Sequence, residues 1–203
     1  MKSEPIQTTP FESLANLLEY PDAGFNSLIE LWAQLVSKAN VELLAPSSKF
    51  RRDTQRLSLT DLQELYTRTF DLSPVCALDI GYHLFGENYK RGVFLANLRE
   101  TEAPFDLGQE HQLPDYLPVL LRLLTKLDDE DLRSALIVDC MIPALEKMLK
   151  TLSEGDNPYR HLIAAVNMVL NSEAGAYPAT IQRAHLPILQ AAAFSAETNT
   201  DLF

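Results

Sequence analysis

Apolar residues recur at every third or fourth position along most of the chain, which is the spacing of one face of an α-helix. Stripes of this kind run through residues 11–18, 28–36, 62–70, 76–85, 117–127, 159–170 and 180–194. The run at 93–98 is too continuous to give a clean stripe, but it lies within a predicted helix at 89–102. The pattern therefore predicts an all-α fold, a single-domain bundle of about eight to ten helices over residues 1–203.

Residues with strong positional preferences mark several of the predicted helix ends. Ser58 followed by Asp61 is typical of a capping arrangement, with Asp in place of the usual Glu. Gly86 stands where a helix commonly terminates in the left-handed conformation. Pro114 suits the first turn of the helix that follows it, so Asp115 is predicted to lie in that turn.

Some segments lack a helical pattern. Residues 1–9 and 195–203 are polar and are predicted to be disordered, and residues 103–114 are predicted to form a hinge-like linker. Residues 45–56 contain Pro, Ser and four basic side chains, a composition that favours a loop. Pro143 is predicted to break or kink the helix around it, just after the short strand-like pair at 137–138.

Charge and cysteine content narrow the classes of partner and compartment. With 17 Lys and Arg against 28 Asp and Glu, the net charge is -11, which disfavours nucleic acids and anionic membranes and favours basic partners. The same acidity is also compatible with a role in solubility alone. Cys76 and Cys140 form no metal or redox motif, and no segment approaches the ~18 apolar residues of a membrane span. These features predict a cytoplasmic protein.

No pattern for catalysis, metal binding or cofactor binding stands out. The chain has no Gly-rich phosphate loop and no nucleophile elbow, and its four His residues lack the spacing of a helical zinc site. Asp71 and Asp115 are better explained as helix-capping residues than as an acid–base pair. The basic cluster at 49–56 favours a solvated segment over a phosphate site, whereas the Leu-rich stripe at 117–127 fits either core or a groove for a partner helix. The sequence predicts a protein that is not an enzyme.

Four short segments, taken together, resemble the NarJ branch of the TorD/DmsD/NarJ family of molybdoenzyme chaperones. They are Leu-Leu-Glu-Tyr-Pro-Asp at 17–22, Tyr-Thr-Arg-Thr-Phe-Asp at 66–71, Tyr-His-Leu-Phe-Gly-Glu-Asn-Tyr-Lys-Arg-Gly at 82–92 and Leu-Pro-Asp-Tyr-Leu-Pro at 113–118. The segments occur in the family's order. Tyr116 stands where the family commonly has His, so no role that requires an imidazole is expected there.

The resemblance implies a cytoplasmic chaperone that binds the N-terminal segment of a molybdoenzyme catalytic subunit. Such proteins hold the apo-subunit until the molybdenum cofactor and an iron–sulfur cluster are inserted, and proteins of molybdenum cofactor biosynthesis are further implied partners. No resident cofactor is expected. The residues that the resemblance assigns to client-peptide binding are Tyr66, Phe70, Asp71, Tyr82, His83, Arg91, Asp115 and Tyr116.

Two other roles are compatible with the same sequence. One is a permanent structural subunit of an oxidoreductase complex, which would stay with the mature enzyme. The other is a helical hydrolase, which would need the phosphate loop or nucleophile–base pair that the sequence lacks.

Overall fold

The computed structural model of the protein describes residues 9–39, 42–73 and 76–176. The α-helices are α1 (Pro10–Leu17), α2 (Phe25–Ala39), α3 (Leu44–Thr54), α4 (Leu59–Tyr66), α5 (Ile80–Phe85), α6 (Tyr89–Glu102), α7 (Leu117–Leu124), α8 (Glu130–Ala135), α9 (Ile142–Leu152) and α10 (Tyr159–Ala174). Two π-helical segments are π1 (Thr67–Asp71), after α4, and π2 (Leu136–Met141), between α8 and α9. None of these helices is both long and apolar enough to cross a membrane.

The predicted all-α, single-domain bundle is confirmed. The described ranges contain no strand, and their β-type pairing is an isolated antiparallel bridge between Asp79 and Tyr116. The helix predicted at 180–194 lies outside the described residues, as do the predicted disordered ends at 1–9 and 195–203 except for Thr9, which caps α1.

Helix α7 lies at the centre of the core. Every residue of this helix except Arg122 is buried, and α1 packs along it. Helix α10 packs against α3 and α9 on another side of the same core. The Leu-rich stripe at 117–127 is therefore mainly core, which settles the choice between a core helix and a groove for a partner helix.

The loop predicted at 45–56 is wrong, because most of this segment forms α3. Pro46 lies in the first turn, where a missing N–H costs no helical hydrogen bond. The buried face of the helix carries Ser47, whose Oγ accepts a hydrogen bond of 2.9 Å from the buried Trp32 indole nitrogen. A small hydroxyl therefore occupies a position where the hydrophobic pattern requires an apolar residue, so the pattern did not indicate a helix.

Two basic side chains of α3 form ion pairs with acidic neighbours. Arg51 lies 2.7 Å from Glu30, and Arg52 lies 3.1 Å from Asp53. The pairs are exposed and contribute little to stability. Their pairing agrees with the prediction of a solvated basic segment rather than a phosphate site.

Replacing Ser47 with Ala should test the buried contact that holds α3 against α2. The variant leaves the Trp32 indole N–H buried without its acceptor, so the free energy of unfolding should fall by about 1–3 kcal/mol in urea titrations. Ser48→Ala, at an exposed position of the same helix, is the matched control and should stay within about 0.5 kcal/mol of wild type. Equal effects of the two substitutions would show that the indole contact contributes no stability.

The predicted capping box of α4 is confirmed, and α5 ends before Gly86 as predicted, although a ψ of -137° places this glycine outside the left-handed helical conformation. Ser58 and Asp61 form a reciprocal capping box, with both backbone-to-side-chain distances at 3.2 Å, and the Ser58 hydrogen bonds lower the pKa of Asp61. Gly86 follows α5 with a φ of 60°, a value that glycine adopts readily.

The predicted start of α7 is wrong. The helix begins at Leu117, and Pro118 rather than Pro114 occupies its first turn. Asp115 accordingly lies before the helix, in a turn that leads into the bridge between Asp79 and Tyr116. Pro114 and Pro118 are both acceptable in the first turn of a helix. The long-range bridge between Asp79 and Tyr116 keeps residues up to Tyr116 out of the helix, so the helix starts at Leu117 with Pro118 in its first turn.

The chain around Pro143 forms a wide helical turn. Pro143 has no N–H and so cannot donate to a carbonyl in the preceding turn, and π2 directly precedes the helix that contains it. The strand-like pair at 137–138 lies within π2 and forms no strand. The break or kink predicted at Pro143 is thus a change from π-helix to α-helix just before this residue.

Candidate functional site

A cavity of about 420 Å³ opens where the end of α1, segment π1 and the residues on either side of the Asp79–Tyr116 bridge meet. Its aromatic lining consists of Tyr20, Tyr66, Phe70 and Tyr116. Its acidic lining consists of Glu19, Asp71 and Asp79. We refer to this space, defined by those seven residues, as the acidic aromatic cavity.

Segment π1 brings Phe70 and Asp71 to the cavity. Thr69, in the same segment, donates its hydroxyl to the Leu65 carbonyl at 2.6 Å and accepts a hydrogen bond of 2.7 Å from the Asn157 side chain. The bond from Asn157 attaches π1 to the loop before α10. π-Helical turns are rare and often occur at functional sites, which agrees with the position of this one.

The aromatic rings form a packed row with one exposed member. The rings of Tyr20 and Tyr66 meet edge to face with centroids 5.4 Å apart, and Tyr66 and Phe70 do so at 5.1 Å. Tyr66 and Phe70 are buried, whereas Tyr20 is 53% exposed. Among the aromatic side chains of the cavity, Tyr20 therefore offers the most free surface.

Two tyrosine hydroxyls form a buried hydrogen-bonded pair. The hydroxyl of Tyr66 lies 3.0 Å from that of Tyr116 and also donates to the Leu18 carbonyl at 3.0 Å. Burial raises the pKa of both tyrosines well above the usual value, with further contributions from nearby Glu19 and Asp71. Both phenols are thus neutral at physiological pH and act as hydrogen-bonding groups rather than bases.

The three carboxylates of the cavity differ in their partners. Glu19 is held by Arg122 at 2.8 Å, and Asp79 lies 3.7 Å from Arg91. Asp71 is exposed, and the described residues place no ion-pair partner against it. The cavity thus carries more negative than positive charge, which favours a cationic partner.

Behind the cavity wall lies a buried polar network centred on Asp115. Its Oδ2 accepts hydrogen bonds from Arg91 Nε at 3.1 Å and from the Gly81 backbone N–H at 3.0 Å. The guanidinium of Arg91 also lies 5.9 Å from the centre of the Tyr82 ring. Burial, together with the negative charge of Asp79, raises the pKa of Asp115 to about 6 despite the opposing effect of Arg91.

His83 is a structural residue of the same region. Its Nε2 lies 2.7 Å from the Ala77 carbonyl, and its own carbonyl accepts a hydrogen bond of 2.6 Å from Lys147. Burial lowers the pKa of His83, so the ring is neutral and donates to Ala77. The side chain therefore contributes to the packing of α5 and supplies no positive charge.

The structure divides the eight residues assigned to client binding into two groups. Tyr66, Phe70, Asp71 and Tyr116 line the cavity, whereas Tyr82, His83, Arg91 and Asp115 lie in the network behind it. The Asp115 side chain is 0% exposed and its carboxylate faces Arg91 and Gly81, so it offers no free surface to a client in this structure.

Glu19, Tyr20 and Asp79 line the cavity but were missing from the residues assigned from sequence. The signal for Glu19 and Tyr20 was present, since both belong to the Leu-Leu-Glu-Tyr-Pro-Asp segment that carries part of the resemblance. Asp79 stands outside the four segments. Its position depends on the bridge to Tyr116, which no local pattern reveals.

A second, larger groove of about 690 Å³ lies on the other side of α4 and π1. Its lining includes Asp53, Asp61, Arg68 and Asp156, and it contains none of the eight residues assigned from sequence. Size alone therefore does not single out the site, and the motif residues favour the smaller cavity.

The described residues contain no group of three or more His, Cys, Asp or Glu side chains arranged to hold a metal ion. Cys76 and Cys140 are both buried, and burial raises the pKa of their thiols to about 11 and about 12. Both thiols are therefore protonated and poorly reactive at neutral pH.

Sequence comparisons give a consistent assignment, although no family model matches the chain. A protein of Bacillus subtilis (strain 168) called probable nitrate reductase molybdenum cofactor assembly chaperone NarJ is 28% identical over 155 residues, which is 75% of this chain and 83% of that protein. The nitrate reductase molybdenum cofactor assembly chaperone NarJ of Escherichia coli (strain K12) is 28% identical over 122 residues, covering 58% of this chain and 52% of the relative.

These relatives are named as assembly chaperones and not as catalysts, in agreement with the prediction that the chain is not an enzyme. The matches cover more of the chain than the four motif segments alone. The resemblance predicted from those segments is confirmed, and the chain is similar to proteins named as NarJ-type nitrate reductase molybdenum cofactor assembly chaperones.

Proposed function

We propose that the protein is a cytoplasmic maturation chaperone that binds the N-terminal segment of a molybdoenzyme catalytic subunit. The client is a nitrate reductase or a related reductase or dehydrogenase. Binding holds the apo-subunit in a form that accepts the molybdenum cofactor and an iron–sulfur cluster, and proteins of cofactor biosynthesis are transient partners. The names of the relatives support the chaperone role, and the acidic aromatic cavity is the observation that supports peptide binding.

The cavity suits a small part of a peptide rather than a whole helix. A volume of about 420 Å³ is near the lower end of ligand pockets and accommodates one or two side chains. Tyr20, which lines the cavity, is exposed, and so are Leu72 and Leu113, which directly follow the lining residues Asp71 and Gln112 in sequence. A peptide that places a cation in the cavity and apolar residues over these side chains gains both charge attraction and burial.

A chaperone must also release its client, which sets an upper limit on affinity. Dissociation constants from micromolar to nanomolar, about -8 to -12 kcal/mol, combine selective binding with release on a useful time scale. The proposal therefore predicts that the protein is absent from the purified mature enzyme but co-purifies with the apo-subunit. A permanent subunit of the complex would be found with both.

Titration calorimetry with a synthetic peptide of the client's first ~30 residues is the direct test of binding. We expect saturable binding that weakens as salt is added, since charges are screened over about 8 Å at physiological ionic strength. Tyr20→Ala should reduce affinity by about tenfold or more, because an exposed aromatic residue at a binding site commonly contributes strongly.

Tyr89→Ala is the matched control, because Tyr89 is 75% exposed on α6 and does not line the cavity. It should leave peptide affinity unchanged, and the melting temperature of both variants should be followed in parallel. A complete lack of binding by the wild-type protein at low salt would exclude the proposed peptide-binding role. Equal losses for the two tyrosine variants would place the peptide elsewhere on the surface.

A further inference from the structure

We propose that Asp79 is the carboxylate that receives a cationic side chain of the bound segment, and that Asp115 and Arg91 are positioning residues that direct it to the cavity. This inference rests on the proposed function and identifies the electrostatic contact within it. Asp79 connects the cavity to the buried network. It lines the cavity, and its carboxylate lies 3.7 Å from Arg91, which belongs to the network.

The start of α5 shows why the Asp79 carboxylate is available. Asp79 occupies the N-cap position, where an Asp side chain ordinarily accepts a hydrogen bond from the second or third helical N–H. Here it makes no such bond. Asp115 instead accepts the hydrogen bond from Gly81, the second residue of the helix, at 3.0 Å. A distant carboxylate thus performs the capping, and the Asp79 side chain is left for another contact.

The geometry at Gly81 explains why Asp115 can take the capping position. A Cβ atom on residue 81 would lie 2.6 Å from Asp115 Oδ2 and 3.1 Å from the Phe94 ring. Only glycine therefore allows the Asp115 carboxylate to approach this backbone N–H without a shift. The absence of a side chain at Gly81 is a requirement for this exchange of capping partners.

Backbone hydrogen bonds fix Asp79 in place. The Ile80 N–H donates to the Asp115 carbonyl at 2.8 Å, and the Leu117 N–H donates to the Leu78 carbonyl at 2.8 Å. These two bonds flank the bridge that sets Asp79 opposite Tyr116, and both of the bridged residues line the cavity. The position of the Asp79 backbone is therefore determined before any partner binds.

The charges around Arg91 favour an additional cation. Its guanidinium lies 3.0 Å from Asp115 but 3.7 Å from Asp79. The single positive charge is therefore closely paired with Asp115 and only loosely paired with Asp79. The Asp115 side chain has no exposed surface, whereas the Asp79 side chain is 33% exposed. The three groups together carry a net negative charge when both acids are ionised, and Asp79 is the acid that a partner can reach.

The other two carboxylates of the cavity are less suited to this contact. Glu19 already has a close partner in Arg122 at 2.8 Å. Asp71 is exposed, so water screens its charge and weakens any ion pair that it forms. Asp79 is partly removed from water and only loosely paired, and a contact there should be stronger and more selective.

A double-mutant cycle tests the assignment. Asp79→Asn is combined with peptides in which each Lys or Arg is changed in turn to Gln, and the affinity of every pair is measured by titration calorimetry. We expect Asp79→Asn to weaken the unmodified peptide roughly tenfold to hundredfold, the range of a charged hydrogen bond. For one basic position of the peptide, the change to Gln should then cause little further loss. Asp128→Asn removes the same charge at an exposed position outside the cavity and should leave affinity unchanged.

The positioning role has a separate readout. In Asp115→Asn the shape of the side chain is kept but its charge is lost, so Arg91 is free to pair more closely with Asp79. We expect peptide affinity and its salt dependence to fall together, although residue 115 is buried and touches no peptide. Replacing an apolar residue of the peptide should cost the same in this variant as in wild type.

The outcomes separate the two levels of the proposal. If the wild-type protein binds the peptide but Asp79→Asn binds it equally well, the assignment of Asp79 is overturned and the peptide-binding function stands. If the loss of binding free energy from each Lys or Arg to Gln change in the peptide is the same in Asp79→Asn as in wild type, the assignment of Asp79 is likewise overturned. If the wild-type protein binds no peptide at all, the proposed function itself fails.

Discussion

Replacing Asp115 with Ala is expected to lower the free energy of unfolding by about 3–5 kcal/mol, the usual cost of removing one member of a buried ion pair. The substitution leaves the guanidinium of Arg91 with the 3.7 Å contact to Asp79 and leaves the Gly81 N–H without its acceptor. Urea denaturation followed by circular dichroism measures the loss. The large effect follows from the complete burial of the carboxylate.

Asp71→Ala is the control for this substitution, because Asp71 is also a cavity-region Asp but is exposed. It should change the free energy of unfolding by no more than about 0.5 kcal/mol. A second variant, with Arg91→Met added to Asp115→Ala, should recover part of the stability by removing a partly buried guanidinium that is left with only its 3.7 Å contact to Asp79. A stable Asp115→Ala protein, within about 0.5 kcal/mol of wild type, would contradict the buried network as described.

The free energy of unfolding should be lower at mildly alkaline pH than at mildly acidic pH, and Glu102 should account for much of this difference. This side chain is 3% exposed on α6, and burial raises its pKa from 4.5 to about 7, with Arg99 opposing the shift and Asp115 adding to it. Because the folded state binds the proton more tightly than the unfolded state, the free energy of unfolding falls as pH rises from about 4.5 through 7. The change attributable to Glu102 is up to about 3 kcal/mol.

Glu102→Gln should remove this dependence and should be more stable than wild type at pH 8. Denaturant titrations of both proteins at pH 5 and pH 8 give the comparison. Glu100→Gln, an exposed position of the same helix, should keep the wild-type difference between the two pH values. The raised pKa of Asp115 acts in the same direction and remains in both variants. An unchanged pH dependence in Glu102→Gln would show that this carboxyl is not protonated in the folded protein at pH 5.

The helical architecture follows from local patterns because helices are stabilised by contacts three and four residues apart, which the sequence displays directly. The stripe predicted at 159–170, for example, lies within α10 for this reason. Helix α3 was missed because its buried face includes Ser47, whose burial is made acceptable by a hydrogen bond to Trp32, 15 residues away. A pattern based on hydrophobicity contains no information about such a partner.

The site was predicted in part for the same physical reason. Tyr66, Phe70 and Asp71 belong to one continuous segment, and the structure places them together in the cavity wall. Asp115 was assigned to the wrong place because its surroundings are set by residues 24 to 36 positions away, at Arg91 and at the bridge to Asp79. Whether an Asp beside a helix is exposed or buried depends on those distant contacts.

The π-helical form of π1 makes the number of residues in this segment a determinant of the cavity lining. Each residue of an α-helix turns the chain by about 100°. A π-helical turn contains about one more residue than an α-helical turn, because its hydrogen bonds join residues five positions apart instead of four. The side chains of Phe70 and Asp71 face the cavity in a register that depends on this extra residue. A relative that is one residue shorter between Tyr66 and Asp71 would keep the same amino-acid types but turn its acidic group to a different side. Segment length, as well as residue identity, therefore decides which chains of this type have the same acidic aromatic cavity.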